Sequence, residues 1–292
     1  MLEKDKLLIR IKELAFKGGE IALSLIDNSG PSLKPDQTVL TKADTAVSQL
    51  IREGLDDLLK TKDHILIDEE DKENARYFNQ KTMESVPYIW SLDPIDGTMA
   101  YANHLPTFGI SIGLLNELTP WIGLVYMPLF RELYYCDGHQ AFFVQDAFTH
   151  KERSSLIKPV DLIITRQSVF LGCDTFLKKY GWDSSFCQLM IQACAVIDLC
   201  WPAVGRTCGC FFNSNLWDLA GSWPIIKQAG LDLRSLETGK TLDKISVEAF
   251  EGNGTRTWRF REDHILSSER NYPIIKKSLS ITPHTTRTSG KS

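Results

Sequence analysis

Trp90-Ser-Leu-Asp93-Pro-Ile-Asp96-Gly-Thr98 decides how this chain is read. The apolar run from Tyr88 to Leu92 predicts a strand, and two carboxylates three residues apart end it in a tight Pro/Gly turn. Both acids can then face one hard cation, and Gly97 and Thr98 open a short segment whose free backbone N–H groups suit a phosphate. Metal beside phosphate is what hydrolysis of a phosphate ester requires. Taken alone, the same residues also make an ordinary structural turn, so the reading depends on what surrounds them.

N-terminal to this stretch, Leu7, Leu8, Ile11, Leu14, Ala15, Ile21, Ala22 and Leu25 recur at three- and four-residue steps and predict a helix over 3–28, stopped by Asn28-Ser-Gly-Pro31. A polar loop over 32–37 leads to Thr38-Val-Leu-Thr-Lys-Ala-Asp44, where Thr41 and Asp44 have capping-box spacing. A second helix carries Val47, Leu50, Ile51, Leu55, Leu58 and Leu59 on one face, and His64-Ile-Leu-Ile67 is a buried strand running into Asp68-Glu-Glu-Asp71.

C-terminal to it, strand signals at 107–115, 121–127, 132–136 and 140–144 alternate as in an antiparallel meander. The polar stretch 146–159 divides the chain into a metal-binding α+β part (1–157) and an α/β part (158–280) that completes the site. In the second part the pattern predicts strands at 161–165, 209–213 and 264–268. It predicts helices at 174–180, 193–204, 217–229 (closed by Gly230) and 273–279, with a frayed tail over 281–292. Elements alternating over two halves indicate a layered α/β or α+β enzyme.

The bulk properties remove other classes. With 292 residues, 43% hydrophobic and 24% charged, the chain is long and apolar enough for a full core. A net charge of −4 without a basic block argues against a nucleic-acid partner. The charged start is no signal peptide, and no apolar run reaches the length of a membrane span. Seven scattered cysteines, an odd number, point to reduced thiols and a cytoplasmic setting. Cys208-Gly-Cys210 could bind a soft metal but lacks a second pair at ligand spacing.

Four acidic groups end or begin predicted elements: Glu69-Glu70, Asp93 with Asp96, Asp218 and Asp44. Singly, Asp44 and Asp218 read as helix caps and Glu69-Glu70 as a solvated loop. Acids past neighbouring strand ends can instead converge on one crevice.

The order Glu69-Glu70, then Trp90 to Thr98, then Trp217-Asp218-Leu-Ala-Gly221 resembles the inositol monophosphatase superfamily. The resemblance runs from about residue 5 to 279 and takes in Leu40-Thr-Lys-Ala-Asp44 and the stretch His104 to Gly113. It implies an α+β fold, a layered αβαβα sandwich of the sugar-phosphatase type with mixed and antiparallel sheets. It implies Mg²⁺ held by Glu69, Asp93, the Ile95 carbonyl, Asp96 and Asp218. Glu69 is the ligand by alignment with the family's apolar-Gly-Glu-Glu pattern, with Asp68 standing at the Gly and Glu70 as the alternative. Thr98, supported by Asp44, would orient a metal-activated water, Glu69 would accept its proton, and Gly97 and Thr98 N–H groups would hold the phosphate. Asp96, Ala195 and Asp218 would touch the rest of the substrate, a small phosphorylated metabolite. Lithium inhibition and a homodimer are further implications.

The pocket departs from the family pattern. Inositol-type members place an acid shortly before Trp-Asp, but Arg206 to Trp217 contains none, and Phe211, Phe212 or Asn213 stands there. The pocket-lining helix begins Ala193-Cys194-Ala195, Cys208 replaces an Asp, and Met99-Ala-Tyr101 follows Thr98. Inositol 1-phosphate is therefore not the expected best substrate. The altered pocket also suits an alternative, a catalytically weak relative with a regulatory or binding role.

Overall fold

The structure is a computed structural model and describes residues 4–34, 39–252, 254 and 257–281. Helix α1 (Lys4–Leu25) buries Leu7, Ile11, Leu14, Ala15 and Ala22 on one side, and the predicted helix finishes as a 3₁₀ turn over Ile26–Asn28. Part of the expected loop is instead a short antiparallel ladder, β1 (Ser32–Leu33) with β2 (Val39–Leu40). Helix α2 (Lys42–Gly54) starts on the predicted capping box, with the Thr41 N–H donating to Asp44 Oδ2 at 2.7 Å, and α3 (Asp56–Leu59) follows.

Next come β3 (His64–Asp68), α4 (Gln80–Ser85), β4 (Tyr88–Asp96) and the short α5 (Thr98–Ala102). The predicted meander follows as β5 (Gly109–Asn116), β6 (Thr119–Met127), β7 (Glu132–Cys136) and β8 (Ala141–Gln145), with β9 (Arg153–Leu156) inside the polar stretch 146–159. β3 to β9 form one seven-stranded sheet in sequence order; β3 and β4 run parallel and every other pair antiparallel.

The second half contributes β10 (Val169–Gly172), α6 (Asp174–Lys179), β11 (Tyr180–Trp182), β12 (Gln188–Ile191) and α7 (Ala195–Ala203). It continues with β13 (Gly209–Phe212), α8 (Leu216–Ala220), α9 (Trp223–Gln228), β14 (Asp232–Ser235), β15 (His264–Ser267), α10 (Tyr272–Lys277) and β16 (Leu279–Ile281). The second sheet has the order β12-β10-β13-β15-β14, and β11 pairs with β16.

Three apolar clusters separate five layers. Leu7, Ile11, Val47 and Ile51 of α1 and α2 pack on Trp90, Leu92, Ile110 and Ile112 of the large sheet. Its other face meets Val196, Ile197, Leu219, Trp223 and Ile225 of α7 to α9, which also cover Leu233 and Leu266 of the second sheet. Phe176 of α6 and Ile275 of α10 close the far side over Phe170, Phe211 and Ile265. The helix–sheet–helix–sheet–helix order is the αβαβα arrangement expected from the resemblance.

Three local expectations are corrected. Residues 161–165 are not a strand: Ile163 is 67% exposed and no strand neighbours it, whereas Phe170 and Leu171 of β10 are buried between β12 and β13. The helix expected over 217–229 is two. Gly221 lies flat on the large sheet, where a Cβ would stand 2.6 Å from Ser111 Oγ, and Pro224, without an N–H, fits the first turn of a new helix. Residues 279–281 are neither helix nor tail but strand β16, with Ser280 opposite Gly181; 282–292 lie outside the described residues.

Candidate metal centre

Parallel pairing of β3 and β4 puts Asp68 opposite Leu92, so Glu69 and Asp93 emerge side by side at the same end of the sheet. The Glu69 N–H extends that ladder by one bond, to the Leu92 carbonyl at 3.1 Å. Between Asp93 and Asp96 the β4–β5 register shifts, a bulge that Pro94 tolerates because no ladder N–H is needed there. The Asp93 carboxylate accepts the Ile95 N–H at 3.0 Å, closing a local turn. Gly97, at φ +84°, completes the reversal; a Cβ there would stand 2.6 Å from the Thr107 carbonyl oxygen.

Asp218 arrives from the other side. Helix α8 lies directly on β5, where a Cβ on Gly113 would stand 2.4 Å from the Ala220 backbone. Ser111 Oγ donates to the Trp217 carbonyl at 3.0 Å and fixes the helix start. The Asp218 carboxylate accepts from the Asn215 N–H at 2.8 Å and from the Ser214 hydroxyl. The cap reading of Asp218 is thus correct, and the same side chain also faces the two strand-end acids.

Asp93, Asp96 and Asp218 are all buried, and each offers a carboxylate oxygen within 4.8 Å of the others. Burial first, then the surrounding carboxylates, holds Asp93 well above the ordinary carboxylate range. Burial and the neighbouring Asp218 charge push Asp96 up to about 7. Donors restrain this rise: Cys194 Sγ at 2.9 Å and the Val196 N–H at 2.7 Å, both at the start of α7, donate to Asp96 Oδ2. Three hard oxygen donors that repel one another in a buried site fit a divalent cation such as Mg²⁺, which would relieve the repulsion; they do not fit a soft metal.

Glu69 lies outside this triad but feels it. Burial raises it to about 8, with Glu70 and Asp218 adding to the rise against the opposing pull of Lys34. The charge of Asp218 adds to the rise at Glu69, whereas Asp44 and Asp68 add to the rise at Glu70. Sequence reasoning missed Lys34, whose ammonium donates to both Glu69 and Glu70 at 2.7 Å. Asp68, at the position where the family pattern has Gly, accepts from Ser48 at 2.6 Å, Arg52 at 2.9 Å and the Glu70 N–H at 2.9 Å, and so pins the turn.

Thr98 Oγ1 lies 2.9 Å from the Ile95 carbonyl and 3.3 Å from Asp44 Oδ1. Its one proton can serve only one of them fully, and the carbonyl is nearer. Asp44 is buried and its other oxygen is engaged by Thr41.

Beyond Asp96 opens a cavity of about 320 Å³, bounded by Ala195 and Asp198 of α7, by Phe212 at the end of β13 and Asn213 after it, and by Arg259. Ala195 and Asp96 therefore line the same cavity. Asp198 and Arg259 carried no sequence signal.

Carboxylates brought together from a strand end and a facing helix, in an αβαβα sandwich, make an acidic centre suited to a hard cation. The profile of the Inositol monophosphatase family matches residues 3–268, and the chain belongs to that family. It is 26% identical over 259 residues to the 3'(2'),5'-bisphosphate nucleotidase CysQ of Salmonella typhimurium, covering 86% of this chain and 98% of that protein. It is 30% identical over 150 residues to a fructose-1,6-bisphosphatase/inositol-1-monophosphatase of Aquifex aeolicus, 49% of this chain and 55% of that protein. Among solved structures, an IMPase/NADP phosphatase complexed with Mg²⁺ and phosphate superposes with a TM-score of 0.72 at 17% identity, over 97% of this chain and 100% of that one. An IMPase of Thermotoga maritima gives 0.71 at 19% identity, over 94% and 96%. Among the described residues, no helix is long and apolar enough to cross a membrane.

Proposed function

We propose that the chain is a cytoplasmic Mg²⁺-dependent phosphomonoesterase acting on a small phosphorylated polyol, sugar or related metabolite. The observation that carries this reading is the buried triad of Asp93, Asp96 and Asp218, whose oxygens lie within 4.8 Å of one another. Asp93, Asp96 and Asp218, with Glu69 and the Ile95 carbonyl beside them, are the groups that would hold the cation. Bound there, Mg²⁺ supplies positive charge at the phosphoryl oxygens and an activated water.

The chain's own residues do the rest. With the Ile95 carbonyl committed to the cation, Thr98 would donate its O–H to Asp44, secured by Thr41, and turn its hydroxyl oxygen toward the attacking water. Glu69, deprotonated once a cation offsets the crowding of the acids, would accept the proton lost by the water. The N–H groups of Gly97 and Thr98 lie at the start of α5, where no earlier turn uses them, and hold the phosphate. Asp96 and Ala195 flank the departing alcohol, and Asp218 closes its other side. No side chain forms a phosphoenzyme; catalysis rests on positioning and charge.

Phosphate release from a panel of sugar phosphates, polyol phosphates, histidinol phosphate and nucleotide bisphosphates tests this, with and without Mg²⁺. The expected result is Mg²⁺-dependent turnover of at least one member, inhibited by millimolar Li⁺. No release from any member, with Mg²⁺ bound, contradicts the reading and favours a binding or regulatory role.

A further inference from the structure

The cavity beyond Asp96 holds a guanidinium that the reaction just described does not use. Arg259 Nε donates to Asn213 Oδ1 at 3.0 Å, and its Nη2 donates to the Asn213 carbonyl at 2.9 Å and to Thr175 Oγ1 at 3.3 Å. These bonds engage Nε and Nη2; the two N–H groups of Nη1 have no partner among the described residues. Among the described residues no carboxylate pairs with Arg259, whereas Arg52, Arg76, Arg206 and Arg234 each have one. Among the described residues that line the cavity, Arg259 is the one cation.

The arginine is fixed rather than loose. The Asn213 amide donates to Asp263 Oδ1 at 2.7 Å and to the Glu262 carbonyl at 3.3 Å, which settles its orientation and leaves Oδ1 for Arg259. The next residue, Ser214, donates to the Asp218 carboxylate. Two consecutive residues thus tie the guanidinium and the metal triad to one backbone segment. The cavity also has a buried acid, Asp198, whose Oδ1 has no hydrogen-bond partner. Burial first, then the Asp96 charge, holds that carboxyl well above the ordinary carboxylate range.

We propose that Arg259 is a specificity residue that pairs with a second anionic group, phosphate or carboxylate, on the departing half of the substrate. A planar fork held on one side and open on the other is suited to bidentate recognition of an oxyanion. The inference rests on the phosphatase reading above and deepens it: the preferred substrates are phosphomonoesters with a further negative charge, and neutral polyol phosphates are poor ones. Phe212 supplies an apolar wall for the scaffold joining the two groups.

Two matched pairs of probes test it. A nucleoside 3',5'-bisphosphate is set against the nucleoside 3'-phosphate, and 2-phosphoglycerate against glycerol 2-phosphate. The first pair reads a second phosphate and the second a carboxylate. The wild type is expected to prefer the doubly anionic member of at least one pair by about tenfold or more in kcat/KM. Arg259→Gln should collapse that ratio, chiefly through KM, and Arg259→Lys should keep part of it. An unchanged ratio in Arg259→Gln, or no preference in the wild type, overturns the proposal. Should Arg259→Gln fail to fold, an undiminished ratio in Arg259→Lys overturns it. Calorimetric titration of the same probes in Ca²⁺ separates the two levels of the argument. If no probe is hydrolysed the phosphatase reading fails, while loss of affinity for the doubly anionic probe in Arg259→Gln still supports the anion site and its retention refutes it.

Discussion

Asp93, Asp96 and Asp218 reach one point because a parallel strand pair, a bulge and a helix lying flat on the sheet deliver them there, whereas Asn213 and Arg259 reach the adjoining cavity from the end of β13 and from a segment with little regular structure, respectively. The first region crowds buried carboxylates whose repulsion a divalent cation would relieve. The second is mostly apolar, with a single tethered guanidinium. The contrast separates two tasks: the sheet ends fix the chemistry, and irregular chain around the neighbouring cavity sets what is cleaved.

The largest expected effect breaks the first region. Asp93→Asn should lower Mg²⁺-dependent turnover by about a thousandfold or more, measured as phosphate release, since it removes a central donor from the triad. The same change relieves repulsion among buried carboxylates. In metal-free protein it should therefore raise the melting temperature, by about 2 °C or more on a calorimetric scan. A residue needed only for folding would lower both.

Thr98→Ala sharpens the division inside that region. Turnover should fall by about a hundredfold, the scale for one positioned proton-transfer group, with Mg²⁺ affinity by calorimetry kept. A loss of Mg²⁺ affinity to match the loss of turnover would place Thr98 with the ligands.

A smaller effect is a pH dependence confined to the acidic region. The folded chain keeps protons on Asp96 up to about 7 and on Glu69 up to about 8, while unfolded carboxyls release theirs near 4. Between those values the folded state binds more protons than the unfolded one. The associated stability is therefore full below about pH 4 and is lost as pH rises to about 8. Metal-free protein should lose several degrees in melting temperature across that window, and saturating Mg²⁺ should remove most of the loss. A flat metal-free profile would show that the acids do not crowd one another.

Legibility in the sequence divides along the same line. The strand before Asp93, the Asp-Pro-Ile-Asp-Gly turn, the Thr41–Asp44 cap and the meander are short-range patterns, and the sheet turns them into long-range contacts by a general rule about strand ends. The local pattern alone reads Asp218 as a cap and only the resemblance set it among the metal ligands, because its place beside Asp93 depends on how closely α8 lies on Gly113 of β5. The strand expected at 161–165 failed because three apolar residues in a row say nothing about whether a neighbouring strand exists. Lys34, Asp198 and Arg259 are single residues in non-adjacent elements; their importance comes from what they face, which no local pattern encodes. The missing acid before Trp217 showed that the pocket differs, and only the folded cavity brought Arg259 into view.

The most direct test of the central claim is a crystal of the protein soaked in Mn²⁺, with anomalous difference density measured at the Mn edge. The account predicts a peak coordinated by carboxylate oxygens of Asp93, Asp96 and Asp218. Those side chains turned to separate surroundings, or a peak bound elsewhere with the triad unliganded, would contradict it.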